Sequence, residues 1–442
     1  MPQESKAAPP DAQSKDWGLW IRLGAITSSM LLGMIVGAVA LGIFAVVDFF
    51  NGLWMIPLPE TLGLDGLIIS PAIGISLLIA AIISGRVLLV LEGGRAQGPA
   101  DLILAAQRDE NPNVRAGLLS TLLATVNLSG GASIGIFGPM MHFGGYMSSV
   151  VMRWSHALSQ KLPTDIILGS GAAAAIAAVF SAPIGAAILA HEAIIRRFGA
   201  FGAGPVIAAA FGAQWIAHVI VGDQRIFDIQ STPTLTAGTF FLAIGVGISS
   251  GLASIIYIRA VTASPSWAKW SGIPLQWRPL VPAAFLFMLS PLFPHLLGHG
   301  LGSVDMALAG KLSLTLLLAL IGLKIIATSL CIGFGMFGGV FAPALFIGAL
   351  SGAILDVSLP GIDPASSNFA ILGAASCIAA VIGAPLAAVM IVFELTGSYE
   401  WAVLGMISVV TANQFSRALA GRSLFDRQLL MRGIQLKDDH LR

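Results

Sequence analysis

The sequence predicts an all-α integral membrane protein with two similar helical halves, in which broken helices meet at the middle of the membrane. Hydrophobic residues make up 56% of the 442 residues and charged residues only 10%, whereas soluble domains average about 25% charged residues. A short glycine–proline motif occurs twice, at matching positions of the two halves. The 51 glycines and 23 prolines suit close helix packing and helices that stop inside a bilayer.

Several apolar runs are long enough to cross a bilayer core of about 30 Å, which takes about 20 residues. The clearest are residues 23–50, 67–84, 235–258 and 312–334. Shorter apolar runs at 171–190 and 371–393 are cut by glycine and proline. We therefore expect helices throughout, some of them broken within the membrane.

The composition divides the chain into a polar tail, two transmembrane repeats, a connection between them and a second tail. The tail of residues 1–16 does not have the pattern of a cleavable signal peptide. The other boundaries follow from the apolar runs and the polar loop near residue 222. They give a first repeat at 17–199, a connecting helix and loop at 200–234, a second repeat at 235–430 and a C-terminal tail at 431–442.

The repeated motif has the form GxFxP and occupies residues 135–139 and 339–343. Each copy is followed by a block that runs from a proline to a glutamate nine residues later, at 183–192 and at 385–394. The motif proline precedes the block proline by 44 residues in the first half and by 42 in the second. Such matched spacing indicates two copies of one membrane unit, which is typical of transporters with a pathway at the repeat interface.

Each motif predicts a helix terminus at mid-membrane whose backbone N–H groups have no hydrogen-bond partner within the helix. We expect short helices that end near Pro139 and Pro343, and at the second motif a helix start whose first N–H groups have no partner. Such termini attract anions through their N–H groups and the helix dipole, without a basic side chain. Two opposed termini predict a pathway for a small anion. The alternative is that these glycines serve only tight helix packing.

Other kinds of chemistry find no support in the sequence. The net charge of +1 gives no reason to expect nucleic acid as a partner. Cys331 and Cys377 lie inside apolar runs, which does not fit a disulfide framework. Zinc-ligand spacing, a phosphate loop and a nucleophile–base pair are all missing from the sequence. We therefore predict no enzyme activity, no metal and no cofactor apart from a transported anion.

The two motifs and their spacing resemble the CLC family of chloride channels and chloride/proton antiporters, over residues 19–430. The resemblance implies a CLC-type inverted repeat and a homodimer with one separate pore in each subunit. We expect no CBS domains, because the chain ends soon after its last apolar run. Val340 and Phe341 match the motif whose backbone amides hold the central chloride of the family. Lys324, nineteen residues before Pro343, matches a basic position of the family.

The first motif departs from the family at the gate. Proton-coupled members carry a gating glutamate in GREGP, but here the motif reads GIFGP, so that Phe137 replaces the glutamate and Ile136 its basic neighbour. The second proton-handling glutamate of antiporters aligns with Ala193. A phenyl ring cannot carry a proton, so we predict passive anion flow with Phe137 as the gate, either as a hydrophobic plug or as a ring edge that tolerates an anion.

The central anion site also lacks hydroxyl groups that the resemblance would place there. The family tyrosine falls on Phe425, and the family serine falls on Ala96 when the GSGIP motif is aligned on its proline. Gln97 would take that place if the local register slipped by one residue. The predicted anion-binding residues are Ala96, Gln97, Gly98, Ile136, Phe137, Gly138, Val340, Phe341 and Phe425.

A few charged or titratable residues remain to be assigned. We expect Lys324 and Arg95 to attract anions into the pathway, although Lys324 could instead snorkel to the membrane interface. His142, His191 and Glu192 are candidates for proton handling. For His191 we favour a histidine at the membrane interface whose hydrogen bonds are satisfied. For Glu192 we favour a structural role at the end of a helix.

The favoured function is passive transport of chloride or a related small anion, and the alternative is a proton-coupled anion antiporter with a non-standard proton route. A third interpretation is an enzyme or scaffold on a degenerate transporter fold. We expect a multi-pass homodimer in the lipid bilayer of the bacterial inner (plasma) membrane. The arginines at 196–197 and from 417 to 432 are expected on its cytoplasmic side.

Overall fold

The computed structural model describes residues 19–54, 71–154, 162–222, 232–359 and 368–436. The predicted tail at 1–16, the greater part of the polar loop before residue 233 and the last six residues of the chain lie outside these ranges. Over the described residues the protein is helical, and its one β-type pairing is an isolated antiparallel bridge between Gly135 and Gly339.

The first half of the chain forms eight described α-helices. They are α1 (Leu19–Trp54), α2 (Pro71–Val90), α3 (Pro99–Arg108), α4 (Val114–Ser129), α5 (Phe137–Trp154), α6 (Thr164–Phe180), α7 (Pro183–Leu189) and α8 (Ala200–Val221). A single π-helical turn, Ala190–Ile195, continues α7. Proline occupies the first turn of α7, where its missing N–H costs nothing.

The second half repeats this order. Its described helices are α9 (Ala237–Trp270), α10 (Leu280–Leu289), α11 (Leu301–Leu308), α12 (Leu314–Gly333), α13 (Phe341–Ser358), α14 (Phe369–Ile382), α15 (Pro385–Thr396), α16 (Tyr399–Ala420) and a last short helix, α17 (Leu424–Leu430). Each helix of the first half is equivalent to the helix eight places later in this order. Helix α5 is thus the counterpart of α13, and α7 is the counterpart of α15. Helix α8, which the sequence assigns to the connecting segment, has its counterpart in α16.

Six helices of the described residues are long and apolar enough to cross a membrane. They are residues 22–54, 71–90, 202–221, 237–270, 314–333 and 341–358. Four of them overlap the spans predicted from the apolar runs. Shorter apolar helices, including α6, α7, α14 and α15, fill the space between them. The protein is therefore a multi-pass integral membrane protein.

Glycines bring the central helices of each half into backbone contact, and they do so at the same places. A Cβ atom at Gly144 on α5 would lie 2.2 Å from the carbonyl oxygen of Gly171 on α6. A Cβ atom at Gly348 on α13 would lie 2.3 Å from the carbonyl oxygen of Gly373 on α14. No larger residue fits at either crossing, so the repeat extends from the motifs to the packing of the core.

Helices α5 and α13 differ in one respect from the short helices expected to end near Pro139 and Pro343. Both begin inside the motifs, at Phe137 and at Phe341, and each continues for 18 residues. The motif prolines therefore lie in the first turn, the one place where a helix accepts proline without losing a hydrogen bond. The helical structure is therefore interrupted just before each motif, and not after it.

Candidate functional site

The two motifs meet at the bridge between Gly135 and Gly339. The N–H of Gly135 donates to the carbonyl oxygen of Gly339 at 2.8 Å, and the N–H of Gly339 donates to the carbonyl oxygen of Gly135 at 2.6 Å. A Cβ atom on Gly339 would lie 2.9 Å from Gly135 O and 2.9 Å from Gly138 N. Glycine is required at this position because backbone atoms on both sides leave no room.

A helix begins two residues after each bridged glycine, so two helix N-termini start next to one another. The first N–H groups of α5 and α13 have no carbonyl oxygen one turn earlier in their own helix. Val340, at the start of α13, makes no capping hydrogen bond through its side chain. The paired N-termini therefore present backbone donors and two positive dipole ends to a common region buried in the protein.

Side chains from three helices hold the second motif in place. The hydroxyl of Tyr257, fully buried on α9, donates to the carbonyl oxygen of Val340 at 3.1 Å. The side-chain amide of Asn127, on α4, donates to the carbonyl oxygen of Phe337 at 3.0 Å, and Ser84 on α2 donates to Asn127 Oδ1 at 2.5 Å. These bonds satisfy buried carbonyl groups of an irregular segment, as a low-dielectric surrounding requires.

Three phenylalanine rings close the space at the two N-termini. The ring centroids of Phe137 and Phe180 are 4.0 Å apart, those of Phe137 and Phe341 are 5.5 Å apart, and those of Phe180 and Phe341 are 5.0 Å apart. Phe180 comes from the last residue of α6. Only 1% of Phe137 is exposed. In this conformation an apolar cluster, which we call the phenylalanine cluster, occupies the predicted gate.

A cavity of about 590 Å³ leads toward the second motif. Its wall includes Gly338, Gly339 and Val340 of the second motif segment, Ala96 and Gly98 of the loop before α3, and Phe425 of α17. Four cationic side chains also line it, namely Arg95, Lys269, Arg278 and Arg432. We call it the basic cavity. A low-dielectric wall with one sign of charge concentrates anions at its mouth.

One carboxylate balances two of these cations. Oδ1 of Asp101 accepts from Arg95 at 2.8 Å and from Arg432 at 2.8 Å. Burial acts to raise the pKa of Asp101, but the hydrogen bond from Arg95 and the charges of Arg432 and Arg95 outweigh it, so this pKa lies below its ordinary value. The hydrogen bond to Asp101 likewise raises the pKa of Arg95. All three groups are therefore charged at neutral pH.

The short helix α17 carries Phe425 to the cavity and is fixed at both ends. Arg196 donates to Oδ1 of Asp426 at 2.5 Å, and Ser423 donates to Oδ2 of the same residue at 2.8 Å. At the other end Arg432 reaches Asp101. The ion pairs link α17 to the first half, so the position of Phe425 depends on contacts between the halves.

Glu192 and Glu394 act on backbone amides. The carboxylate of Glu192 accepts from Leu386 N at 3.0 Å and Ala387 N at 2.8 Å, in the first turn of α15. The carboxylate of Glu394 accepts from Ile184 N at 2.8 Å and Gly185 N at 2.7 Å, in the first turn of α7. Both side chains cap helices, so both carboxylates are already engaged.

Lys324 is fully buried on α12 and does not snorkel to the membrane interface. Its Nζ donates to the carbonyl oxygens of Leu296 at 3.2 Å and Gly298 at 3.0 Å, and lies 5.0 Å from the ring centroid of Phe346. The N–H of Gly298 in turn donates to the carbonyl oxygen of Gly131, four residues before Gly135. Lys324 thus supports the segment that leads into the first motif.

The loop before α3 offers fewer donors to an anion than its sequence indicates. The N–H of Gln97 donates to Ser120 Oγ at 2.8 Å, and the N–H of Gly98 donates to Asp101 at 2.9 Å. The side-chain oxygen of Gln97 accepts from the hydroxyl of Tyr146 at 3.0 Å. Residues 93–96 and Gly98 of this loop line the basic cavity, whereas Gln97 does not.

The two candidate histidines lie in different surroundings. His191 belongs to the π-helical turn; its Nδ1 is 2.9 Å from the carbonyl oxygen of Arg197, and it lines an apolar groove between α7 and α8. His142 is fully buried on α5, and its ring centroid is 4.1 Å from that of Tyr146. The two histidines therefore have different neighbours: His191 contacts the backbone of Arg197, and His142 packs on the ring of Tyr146.

This fold and site define a multi-pass membrane protein with paired helix N-termini at the centre and a basic cavity leading to them. Comparison with known families supports this class of protein. The sequence model of the family described as "Voltage gated chloride channel" matches residues 76–417. The chain belongs to this family, the CLC family, as its motifs indicate.

Bacterial relatives are identical to this chain at about a quarter of the aligned residues. The voltage-gated ClC-type chloride channel ClcB of Salmonella typhimurium is 27% identical over 336 residues, which are 75% of this chain and 80% of the relative. ClcB of Escherichia coli O81 is 26% identical over the same length, with 75% and 80% of the two chains covered.

Solved structures agree on the fold. A slow cyanobacterial Cl⁻/H⁺ antiporter superposes with a TM-score of 0.79 at 20% identity, covering 94% of this chain and 98% of the other. A CLC-type fluoride/proton antiporter superposes with a TM-score of 0.72 at 21% identity, covering 93% and 99%. The predicted CLC-type fold of two helical halves is therefore confirmed.

Sequence reasoning missed three residues of the site. Phe180 ends an apolar helix 43 residues after Phe137, and its position does not distinguish it from core packing. No motif in the sequence marks Asp101 or Tyr257 as part of the site. Asp101 does lie three residues after Gly98, at a capping position of α3. Their importance comes from contacts between segments distant in the chain.

Proposed function

We propose that this protein conducts chloride or a related small anion passively across the membrane, without coupling to protons. The observation that carries the proposal is the phenylalanine cluster at the start of α5. Phe137 occupies the position at which coupled relatives have a titratable glutamate, and its ring packs against Phe180 and Phe341. A gate built from phenyl rings can open and close, but it cannot load or release a proton.

The anion selectivity of this pathway would come from backbone donors and from the basic cavity. The N-termini of α5 and α13 supply amides and dipole ends for the anion. Arg95, Lys269, Arg278 and Arg432 would raise the local anion concentration at the entrance. Phe137 and Phe425 contribute no hydroxyl or carboxylate group to the pathway. We therefore expect weak binding and loose selectivity among small anions.

A proton-coupled antiporter with a non-standard proton route is the second candidate function. The solved relatives that this fold matches are described as Cl⁻/H⁺ and fluoride/proton antiporters. His142 and His191 are the histidines that such a route could use. Glu192 is a weaker candidate because its carboxylate already accepts two backbone hydrogen bonds.

We place the protein in the bacterial inner membrane as a homodimer with a separate pathway in each subunit, by analogy with the family. Arg196 and Arg432 lie at the same end of the molecule as the basic cavity, since they reach Asp426 and Asp101. By the positive-inside rule, the basic cavity would then face the cytoplasm. We class the chain as a transport protein rather than an enzyme, and keep its division at residues 17–199 and 235–430 as a proposal.

The test uses the purified protein in chloride-loaded liposomes, with valinomycin to set the voltage. Chloride efflux and external pH are recorded together. Chloride efflux without proportional proton movement is the expected result. Proton movement in a fixed ratio to chloride would instead establish the antiporter, and a lack of anion flux in protein-containing liposomes would contradict both functions.

A further inference from the structure

Three tryptophan rings stand out from the protein surface at the end of α9 and in the turn that follows it. Trp267 is 47% exposed, Trp270 is 90% exposed and Trp277 is 48% exposed. Trp267 and Trp270 share one face of α9 because they are three residues apart, and Trp277 ends a short 3₁₀ turn. An indole ring has an apolar body and one N–H donor, which suits the boundary between lipid tails and headgroups. We call residues 267–278 the tryptophan segment.

The tryptophan segment also carries two cations without a carboxylate partner. Lys269 is exposed beside Trp270, and Arg278 directly follows Trp277. Both line the basic cavity, whose lining contains no acidic residue. Neither forms an ion pair with a described carboxylate, and Arg278 donates to the carbonyl oxygen of Ile273 at 2.9 Å. No described side chain therefore neutralises these two charges.

The lipid-facing side of α2 leads to a third cation. Ile75, Ile79 and Ile82 are 54%, 48% and 44% exposed, and their spacing of four and three residues places them on one face of the helix. Arg86 continues this row four residues after Ile82, and it is exposed. A long cationic side chain at the end of an apolar row extends its charge toward the headgroups. We call these four residues the α2 row.

A backbone contact holds α2 against the tryptophan segment. A Cβ atom on Gly85 would lie 2.0 Å from the carbonyl oxygen of Gln276, so this crossing has no room for a side chain. The contact places the turn that ends at Trp277 next to the part of α2 that carries Arg86. Over residues 86–92 and 267–278 the chain has three cations and one carboxylate, Glu92. This surface is therefore positively charged as well as aromatic.

We propose that the tryptophan segment and the α2 row bind an anionic glycerophospholipid at the mouth of the basic cavity. The cations would bind its phosphate, the indole rings would lie at the level of its headgroup, and an acyl chain would follow the exposed isoleucines. A zwitterionic lipid also has a phosphate, but its own ammonium group offsets the negative charge. The cations therefore favour a headgroup with a net negative charge. This inference does not depend on passive anion transport.

A soluble phosphate compound could use the same cations, but it would leave the rest of the surface unexplained. Trp270 offers nearly its whole ring to the surroundings, and the α2 row offers apolar surface that a small polar anion cannot cover. A phospholipid matches both parts, because it joins a charged phosphate to apolar chains. The combination of rings, cations and isoleucines thus favours a lipid.

The experiment uses tryptophan fluorescence of the full chain, reconstituted in phosphatidylcholine bilayers. Part of the lipid is replaced by phosphatidylglycerol or by phosphatidylcholine with brominated acyl chains, which quench the indole rings that they contact. In the unsubstituted protein we expect the relative binding constant to favour brominated phosphatidylglycerol at least severalfold. Trp270→Phe removes the most exposed ring and should weaken the quenching that is specific to phosphatidylglycerol.

A double variant tests the cations without disturbing the turn. Arg86→Gln with Lys269→Gln removes two exposed charges and leaves the hydrogen bond from Arg278 to Ile273 in place, so the variant should fold and lose most of the preference for phosphatidylglycerol. Lys311→Gln, at an exposed lysine between α11 and α12, is the matched control and should keep the preference.

Three results would overturn the proposal. They are equal quenching by the two brominated lipids in the unsubstituted protein, a preference that the double variant retains in full, and phosphatidylglycerol quenching that Trp270→Phe leaves unchanged. Displacement of the brominated lipid by millimolar glycerol 3-phosphate would show that a free anion, and not a lipid, is the ligand. The assay contains no measurement of chloride flux, so its failure would be distinct from a failure of the proposed function.

Discussion

Glu192 and Glu394 each cap the helix that carries the other. Glu192, at the end of the first block, binds the first turn of α15, and Glu394, at the end of α15, binds the first turn of α7. The two halves are therefore joined by a reciprocal pair of carboxylate caps. This arrangement explains why both blocks keep nine residues between proline and glutamate.

The caps should contribute to stability rather than to transport. Glu192→Gln or Glu394→Gln replaces an ionised acceptor at a helix N-terminus, and we expect a loss of about 1–3 kcal/mol in unfolding free energy. Thermal unfolding in detergent measures the loss. Glu110→Gln, at an exposed site with a weak ion pair, is the control. A Glu192→Gln variant with unchanged stability but altered proton movement would contradict the capping role.

The phenylalanine cluster should limit the rate of anion flow. Phe137→Ala and Phe180→Ala each remove one ring of the three and leave space at the N-termini of α5 and α13, so both should raise chloride efflux severalfold. The prediction for Phe180 distinguishes a cluster from a single gating ring. Liposome efflux measures the effect. Slower efflux in Phe137→Ala would show instead that the ring helps to bind the anion.

A carboxylate at position 137 should restore a pH-dependent gate. The ionised side chain of Phe137→Glu would compete with the anion for the amides of α5, whereas the protonated side chain would not. Glutamate is ordinarily ionised above about pH 4.3, and burial moves this value upward. Efflux should therefore be low near neutral pH and increase as the pH falls. Efflux from this variant that keeps the pH dependence of the unsubstituted protein would contradict the placement of Phe137 at the gate.

Asp101 should restrain the attraction of anions into the basic cavity. Asp101→Asn leaves Arg95 and Arg432 without their shared carboxylate, which increases the positive charge of the cavity wall. We expect faster chloride efflux at low ionic strength, with a smaller difference at high salt because of screening. Asp165→Asn, whose carboxylate pairs with Arg197 away from the cavity lining, is the control. A difference that does not depend on salt would argue against an electrostatic cause.

The glycine at the bridge should be irreplaceable. Gly339→Ala places a methyl group 2.9 Å from backbone atoms of Gly135 and Gly138, so the two motifs must separate. We expect loss of most anion flux and lower thermal stability. Gly322→Ala is the control, because a Cβ atom there meets nothing within 4 Å. Normal flux in the Gly339 variant would show that the bridge is not part of the pathway.

Much of the fold could be predicted from the sequence because repeated motifs constrain it strongly. The spacing from 135–139 to 183–192 recurs in the second half and predicts two copies of one unit. The lengths of the apolar runs predict the membrane-spanning helices. The direction of α5 and α13 was harder to predict, since a proline suits both the approach to a helix and its first turn. Only the structure shows that both helices begin at the motifs.

The site was less predictable than the fold. The sequence predicts a contact between the Gln97 side-chain amide and the anion if the local register slips by one residue. It gives no sign that the side-chain oxygen of Gln97 accepts a hydrogen bond from Tyr146 on a neighbouring helix. Phe180 and Asp101 were not expected at all, because their partners are distant in sequence. Contacts between α3, α5, α6 and α17 depend on how helices cross, and a single sequence carries no direct record of those crossings.

The bridge between Gly135 and Gly339 has a consequence for half-length chains. Each half contains a complete series of helices, yet it also holds one glycine whose N–H and C=O are satisfied only by the other half. Expressed alone, either half would leave a donor and an acceptor unpaired in the membrane interior, which is costly there. The two halves, produced as separate polypeptides, should therefore recognise one another and assemble without a covalent connection.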